Sequence, residues 1–183
     1  MKNIIKLTLL FSSLFAQPKQ KVEFEYYTVK DGLAENTVLN ILQDKQGFLW
    51  VGTENGLCRF DGYEFKIFEH NPFDSTTLMG NSIVSLFQDS KNRLWVSTGP
   101  GLNLFDPTTE TFIRYPHEIE NKNSIPQAPR SLKEDNKGNI WCVGWTPGVY
   151  KLNPETGNVV VFNHDPEDNT TLSADPKSGA NMF

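Results

Sequence analysis

Short apolar runs alternate with tight polar turns along almost the whole chain, and no stripe of helical period is long enough to compete. Thr37–Gln43 (TVLNILQ) is apolar and β-branched, and Asp44-Lys45-Gln46-Gly47 follows as a turn. Asp suits the first place of such a turn, because its side chain can accept from the backbone ahead, and Gly suits the last. Phe48–Thr53 (FLWVGT) predicts a second strand. Asn55-Gly56 then offers a dipeptide that tolerates positive φ, a strong short hairpin signal. Leu57–Phe60 predicts a third strand, Asp61-Gly62 another turn, and Tyr63–Phe68 a fourth.

The unit returns twice. Asp44–Asp61 (DKQGFLWVGTENGLCRFD) is followed by Asp89–Asp106 (DSKNRLWVSTGPGLNLFD) and by Asp135–Asn153 (DNKGNIWCVGWTPGVYKLN). Trp50, Trp95 and Trp141 lie 45 and then 46 residues apart, each six residues after an Asp. Strands are predicted over 82–88, 93–98, 102–105 and 111–115 in the second unit, and over 130–134, 139–144, 149–152 and 159–162 in the third. The linkers repeat as well: His70–Leu78 (HNPFDSTTL) matches His164–Leu172 (HDPEDNTTL), with His117–Ile125 as a worn copy. A four-stranded antiparallel meander of this period is the size of a β-propeller blade. The expected fold is therefore all-β: a β-propeller fragment of about three four-stranded antiparallel blades, near 33–68, 78–115 and 125–162. An N-terminal closing strand is expected over about 22–27 (Val22–Tyr27), because VEFEYY and the following Asp31-Gly32-Leu33 resemble an outermost strand and its exit loop.

The first 16 residues stand apart. Met1-Lys2-Asn3 carries a positive charge, Ile4–Phe15 is mostly apolar, and Ala16 is small, which reads as a secretory signal peptide with the mature chain starting at Gln17. The partial propeller then occupies 17–172, and 173–183 is a tail with neither an apolar strand nor a Trp. Because propellers close with four or more blades, the chain is expected to be the N-terminal piece of a longer protein. The isolated piece is expected to aggregate through its unpaired edges and uncovered blade faces.

The repeat resembles the two-component regulator propeller repeat. Its carriers are Asn36, Val38, Asp44, Gly47, Trp50, Gly52, Thr53, Gly56, Leu57 and Asp61 in the first unit. In the second they are Asn81, Ile83, Asp89, Trp95, Thr98, Gly101, Leu102 and Asp106-Pro107. The linker form is similar to that in periplasmic sensors of hybrid histidine kinases. The third unit departs, with Trp145 where Thr is expected, one extra residue, and Pro129-Arg130 in place of the Ile/Val start. The resemblance implies an extracytoplasmic, periplasmic sensor in a hybrid two-component histidine kinase held in the inner membrane. Such a parent would be a homodimer acting in oligosaccharide-responsive signal transduction and transcriptional regulation. The partners implied are an oligosaccharide or other small ligand and the remaining propeller blades. A secreted lyase or hydrolase of the streptogramin-lyase kind, and a protein-binding scaffold, are the alternatives.

Charge and composition narrow the classes. A net charge of −5 without a Lys/Arg cluster argues against nucleic acid. No run of 18 apolar residues follows the N-terminus, so this segment is not expected to contact a membrane. Cys58 and Cys142 fall on different strands of non-adjacent repeats and are expected to be free thiols. The repeated Trp residues read as inter-blade core. The three His hold one linker position on three separate loops, which suits a structural role better than a metal or acid–base set. No catalytic residues, metal site or cofactor are expected in these residues. Candidate ligand contacts are Trp145, Arg130 and Asn55, which lie where the copies differ or on the loop face. Trp145 is a candidate sugar-stacking aromatic, and Arg130 replaces Leu39 and Val84 on an innermost strand.

Overall fold

A computed structural model describes residues 23–121 and 123–176. The signal-peptide reading and the end of the tail lie outside the described residues. Among the described residues a single 3-10 turn, Val29–Asp31, precedes twelve strands, and the strands form three separate four-stranded antiparallel sheets. The first sheet holds β1 (Val38–Gln43), β2 (Leu49–Thr53), β3 (Gly56–Phe60) and β4 (Phe65–Phe68). The second holds β5 (Ile83–Gln88), β6 (Leu94–Thr98), β7 (Gly101–Asp106) and β8 (Thr111–Pro116). The third holds β9 (Arg130–Glu134), β10 (Ile140–Val143), β11 (Val149–Leu152) and β12 (Val159–Phe162). Within each sheet the strands stand in chain order, as a meander requires. These are three blades of a β-propeller.

The blades meet along their innermost strands. β1 packs beside β5, and β5 beside β9. Asn40 Nδ2 donates to the carbonyls of Ile83 and Val84 at 2.9 and 3.1 Å, and the Ser85 hydroxyl reaches the Pro129 carbonyl at 3.4 Å. The turn between the first two strands of each blade is also tied to the next blade. The Lys45 amide donates to Gln88 Oε1 at 3.0 Å, and the Ser90 amide to Glu134 Oε2 at 2.7 Å. These bonds hold neighbouring sheets face to face at both ends of the inner strands.

Strand alternation decides what fills the gaps. Trp50, Leu57 and Phe68 of the first blade interlock with Ile83, Leu94, Val96, Phe105 and Phe112 of the second. Trp95 and Leu102 of the second blade pack on Leu132, Ile140, Cys142, Tyr150 and Leu152 of the third. Each blade therefore presents its Trp forward and the adjacent Val or Cys backward, since successive side chains point to opposite faces. Trp141 should face forward in the same way. It is half-buried, stacked on Phe162 with centroids 5.4 Å apart.

Two details bear on the sequence reading. Residues 23–28, where the closing strand is expected, join none of the three sheets, and Phe24 and Tyr26 stand exposed. A strand needs a ladder partner, and each sheet here already has four. Tyr27 instead leans on Phe60 and Phe65, at 5.2 and 5.6 Å between centroids. The repeat also runs past Leu172. The His70 amide donates to Asn81 Oδ1 at 2.6 Å, and the His164 amide makes the same bond to Asp175 Oδ1 at 2.7 Å. Asp175 is the copy of Asn81, so the third linker extends into the segment read as tail.

Candidate functional site

Most of the repeated chemistry is consumed in holding the blades. Each Trp donates its indole N–H to the Asp six residues before it. Trp50 reaches Asp44 at 2.7 Å, Trp95 reaches Asp89 at 3.0 Å, and Trp141 reaches Asp135 at 2.8 Å. The other carboxylate oxygen of each Asp caps its own turn, accepting from backbone amides two and four residues on. Burial pushes the Asp89 carboxyl up, but bonds from Trp95 and Arg93 together hold it below the ordinary carboxylate range. Asp135 is held lower still by its bonds from Trp141 and Asn139.

The three His are spent in the same way. His70 Nδ1 lies 2.6 Å from the Leu78 carbonyl, His117 Nδ1 2.9 Å from that of Ile125, and His164 Nδ1 2.5 Å from that of Leu172. Each ring staples a linker to itself eight residues on. Among the described residues no group of three His, Cys, Asp or Glu could hold a metal ion. Cys58 and Cys142 are free and buried in different blades, and burial pushes the Cys142 thiol up to about 12.

The loop face carries what remains. Strand direction places the β2–β3, β6–β7 and β10–β11 hairpins at the end of each blade where the linkers also emerge. The Gly56 amide donating to the Asn81 carbonyl at 2.8 Å shows the first hairpin meeting a linker there. Asn55 belongs to this junction: its Oδ1 accepts from Asn81 Nδ2 at 3.0 Å. Its side chain is therefore engaged between the first two blades.

Arg130 and Trp145, by contrast, come together. The Arg130 guanidinium carbon lies 5.5 Å from the Trp145 ring centroid, within cation–π range. Trp145 is 55% exposed. Arg130 Nε is buried with no hydrogen-bond partner among the described residues. Register corrects the place assigned to Trp145. Val51 pairs with Cys58, Val96 with Asn103, and Cys142 with Tyr150, so Gly144 holds the position of Thr53 and Thr98. Trp145 is the inserted residue of the third hairpin. Gly144 is required because a Cβ there would run into the Gln127 carbonyl oxygen.

The insertion is anchored. The Trp145 amide donates to the Gln127 carbonyl at 2.8 Å, and the Gln127 amide donates to Thr146 Oγ1 at 2.9 Å. The Ala128 amide donates to the Gly99 carbonyl of the second blade at 2.9 Å. Ala128 and Ser131 adopt φ of 46° and 47°, left-handed values that cost a side chain strain. A cavity of about 420 Å³ opens beside the hairpin, lined by His117, Glu118, Thr146, Pro147, Tyr150 and Asp175 among others. Sequence patterning singled out Arg130 and Trp145 but not Gln127, Ala128 or Ser131, whose part lies in backbone geometry. The one hint was the broken repeat at Pro129.

A family model described as the two component regulator propeller matches residues 32–55 and 77–99. Two of the three blades carry the two-component regulator propeller repeat. Both matched stretches end in a hairpin after a Trp, and the third copy, with its insertion, lies outside them. Histidine kinase P4 of Formosa agariphila is 47% identical over 76 residues, 42% of this chain and 6% of that protein. An extracellular domain assigned to a hybrid two component system of B. thetaiotaomicron superposes with a TM-score of 0.70 at 26% identity. That likeness covers 82% of this chain and 21% of the solved domain. A catalytically inactive virginiamycin B lyase from Staphylococcus aureus shares the fold alone, at 14% identity and a TM-score of 0.54, over 80% of this chain and 46% of its own. The propeller repeats thus span a small share of the kinase and of the sensor domain that they resemble.

Proposed function

We propose that these blades are part of the ligand-sensing propeller of an extracytoplasmic sensor in a hybrid two-component histidine kinase. The ligand is an oligosaccharide, and its binding alters propeller or dimer geometry to regulate transcription. The observation that carries this reading is the division of labour within the repeat. The copied Trp, Asp and His side chains are engaged with each other or with backbone. The uncopied pair Arg130 and Trp145 stands on the loop face with an exposed ring beside a half-buried guanidinium. Sugar recognition draws on aromatic faces and fixed polar donors presented by loops on a rigid scaffold. The likeness to an extracellular domain of a hybrid two component system supports the same assignment.

The experiment is an in-frame deletion of residues 23–176 from the complete gene. Induction of a transcriptional reporter is then measured on a panel of oligosaccharides, beside autophosphorylation of the separately expressed kinase portion. The sensor reading requires induction to be lost while autophosphorylation persists. Induction that survives the deletion overturns it.

A further inference from the structure

Arg130 differs from the paired cations among the described residues. Arg59 and Lys66 pair with Glu110, Lys91 pairs with Glu155, and Arg93 bridges Asp89 and Glu155. The Arg130 side chain makes no ion pair or hydrogen bond among the described residues; its contact of this kind is the face of Trp145. Its Nε is nevertheless buried. A buried N–H without an acceptor is unfavourable in a folded protein. The same holds for Arg93 Nη2, but Arg130 as a whole is only half-buried, so an incoming acceptor would meet its outer guanidinium nitrogens and not the enclosed Nε. The guanidinium presents its donors in a planar fork that matches a carboxylate or sulfate through two parallel bonds.

The surroundings keep that donor in place. Ala128 and Ser131, both left-handed, bracket Pro129 and Arg130. The Pro129 carbonyl accepts from the Ser97 hydroxyl at 2.5 Å, fastening the segment to the second blade. β9 pairs Arg130 with Val143, and its bulge falls after Arg130, at Ser131; in β1 and β5 the bulge falls between Val38 and Asn40 and between Ile83 and Ser85. Trp145 is anchored at its backbone by its own amide on Gln127, and the Arg130 guanidinium lies over its ring. Arg130 covers one side of the indole, and the exposure of the ring leaves area for a second ring to stack.

We infer that Arg130 and Trp145 form a subsite for an acidic sugar, with the indole against the pyranose ring and the guanidinium on its carboxylate or sulfate. This rests on the oligosaccharide-sensing reading and narrows it to anionic saccharides. The aligned residues of the other blades, Leu39 and Val84, are apolar, and their hairpins carry no aromatic insertion. The subsite therefore belongs to the third blade.

The test applies the complete polypeptide that bears these repeats to a glycan array of uronate-bearing, sulfated and neutral oligosaccharides of matched length. Hits are then titrated by calorimetry. Binding to uronate-bearing or sulfated members at least tenfold tighter than to neutral ones is expected, and the stronger arm identifies the anion. Arg130→Leu, which installs the residue of the first blade, should erase that preference, and Trp145→Ala should weaken every bound sugar. If only neutral sugars bind, or if Arg130→Leu binds acidic sugars as well as the parent, the subsite is overturned while sugar sensing stands. If Arg130→Leu lowers the melting temperature and leaves acidic binding unchanged, the guanidinium serves a neighbouring blade and the subsite is likewise overturned. If no glycan binds, both readings fall.

Discussion

Trp95 donates its indole N–H to Asp89 Oδ2 at 3.0 Å from a position with no exposed surface, and Asp89 itself is 2% exposed. The bond joins the strand that fills the inter-blade gap to the turn that begins it. Arg93 adds a second bond to the same oxygen at 2.6 Å. Asp89→Asn keeps the shape but removes the charge that these donors face, and it should destabilise the folded chain by about 2 kcal/mol, in the range for bonds to charged groups. Urea denaturation of the two proteins measures the difference.

The same carboxylates set an acid limit. Asp89 and Asp135 have folded-state values below their unfolded ones, so each contributes stability that is fully present above the unfolded value, about 4. That contribution is lost as pH falls toward the lowered folded values. Denaturation midpoints should therefore hold steady from neutrality to about pH 5 and decline below about pH 4. Asp89→Asn should flatten part of the decline.

The three Trp residues predict a gradient. Trp95 is sealed between the second and third blades, whereas Trp141 is half-buried. Truncating Trp95 to Ala should cost about 3–5 kcal/mol, as for large core aromatics, and Trp141→Ala clearly less. Equal losses in equilibrium unfolding would contradict the forward-facing arrangement.

Restoring the repeat residue should do harm at one place. Gly144→Thr would recreate the residue found at Thr53 and Thr98, yet its Cβ would meet the Gln127 carbonyl and disturb the Trp145 anchor. A fall in melting temperature is expected, where simple repeat averaging predicts a gain.

Neither thiol should react in the folded state. Both are buried, and burial raises the Cys58 thiol and pushes Cys142 up to about 12, which starves the reactive thiolate. Ellman's reagent at pH 8 should titrate neither under native conditions and both in denaturant.

The isolated polypeptide should self-associate. The backward face of the first blade leaves a cavity of about 250 Å³ lined by Val38, Ile41, Leu49, Val51, Phe60 and Phe65, with Ile41 67% exposed. Sedimentation of residues 17–183 should show species larger than a monomer, and Ile41→Lys should reduce them.

The sequence alone determined the blade. Period-2 alternation, Asp-initiated turns and Asn-Gly or Pro-Gly hairpins specify a local meander, because all of its pairings join neighbours in the chain. It also assigned the repeated Trp and His to structure, since identical residues at identical positions recur on separate blades. Tertiary structure decided what depends on contacts between blades. Whether residues 23–28 pair as a strand could not be told by composition, because strand formation rests on a partner elsewhere. Gly144 and Trp145 could not be ordered around the insertion until register fixed which residue faced the Gln127 backbone. Arg130 begins β9 and Trp145 sits in the β10–β11 hairpin, and only the bulge and the clamped 127–131 segment bring guanidinium and indole together. Periodicity records what every copy shares; a site made from departures becomes visible only when the departures meet in space.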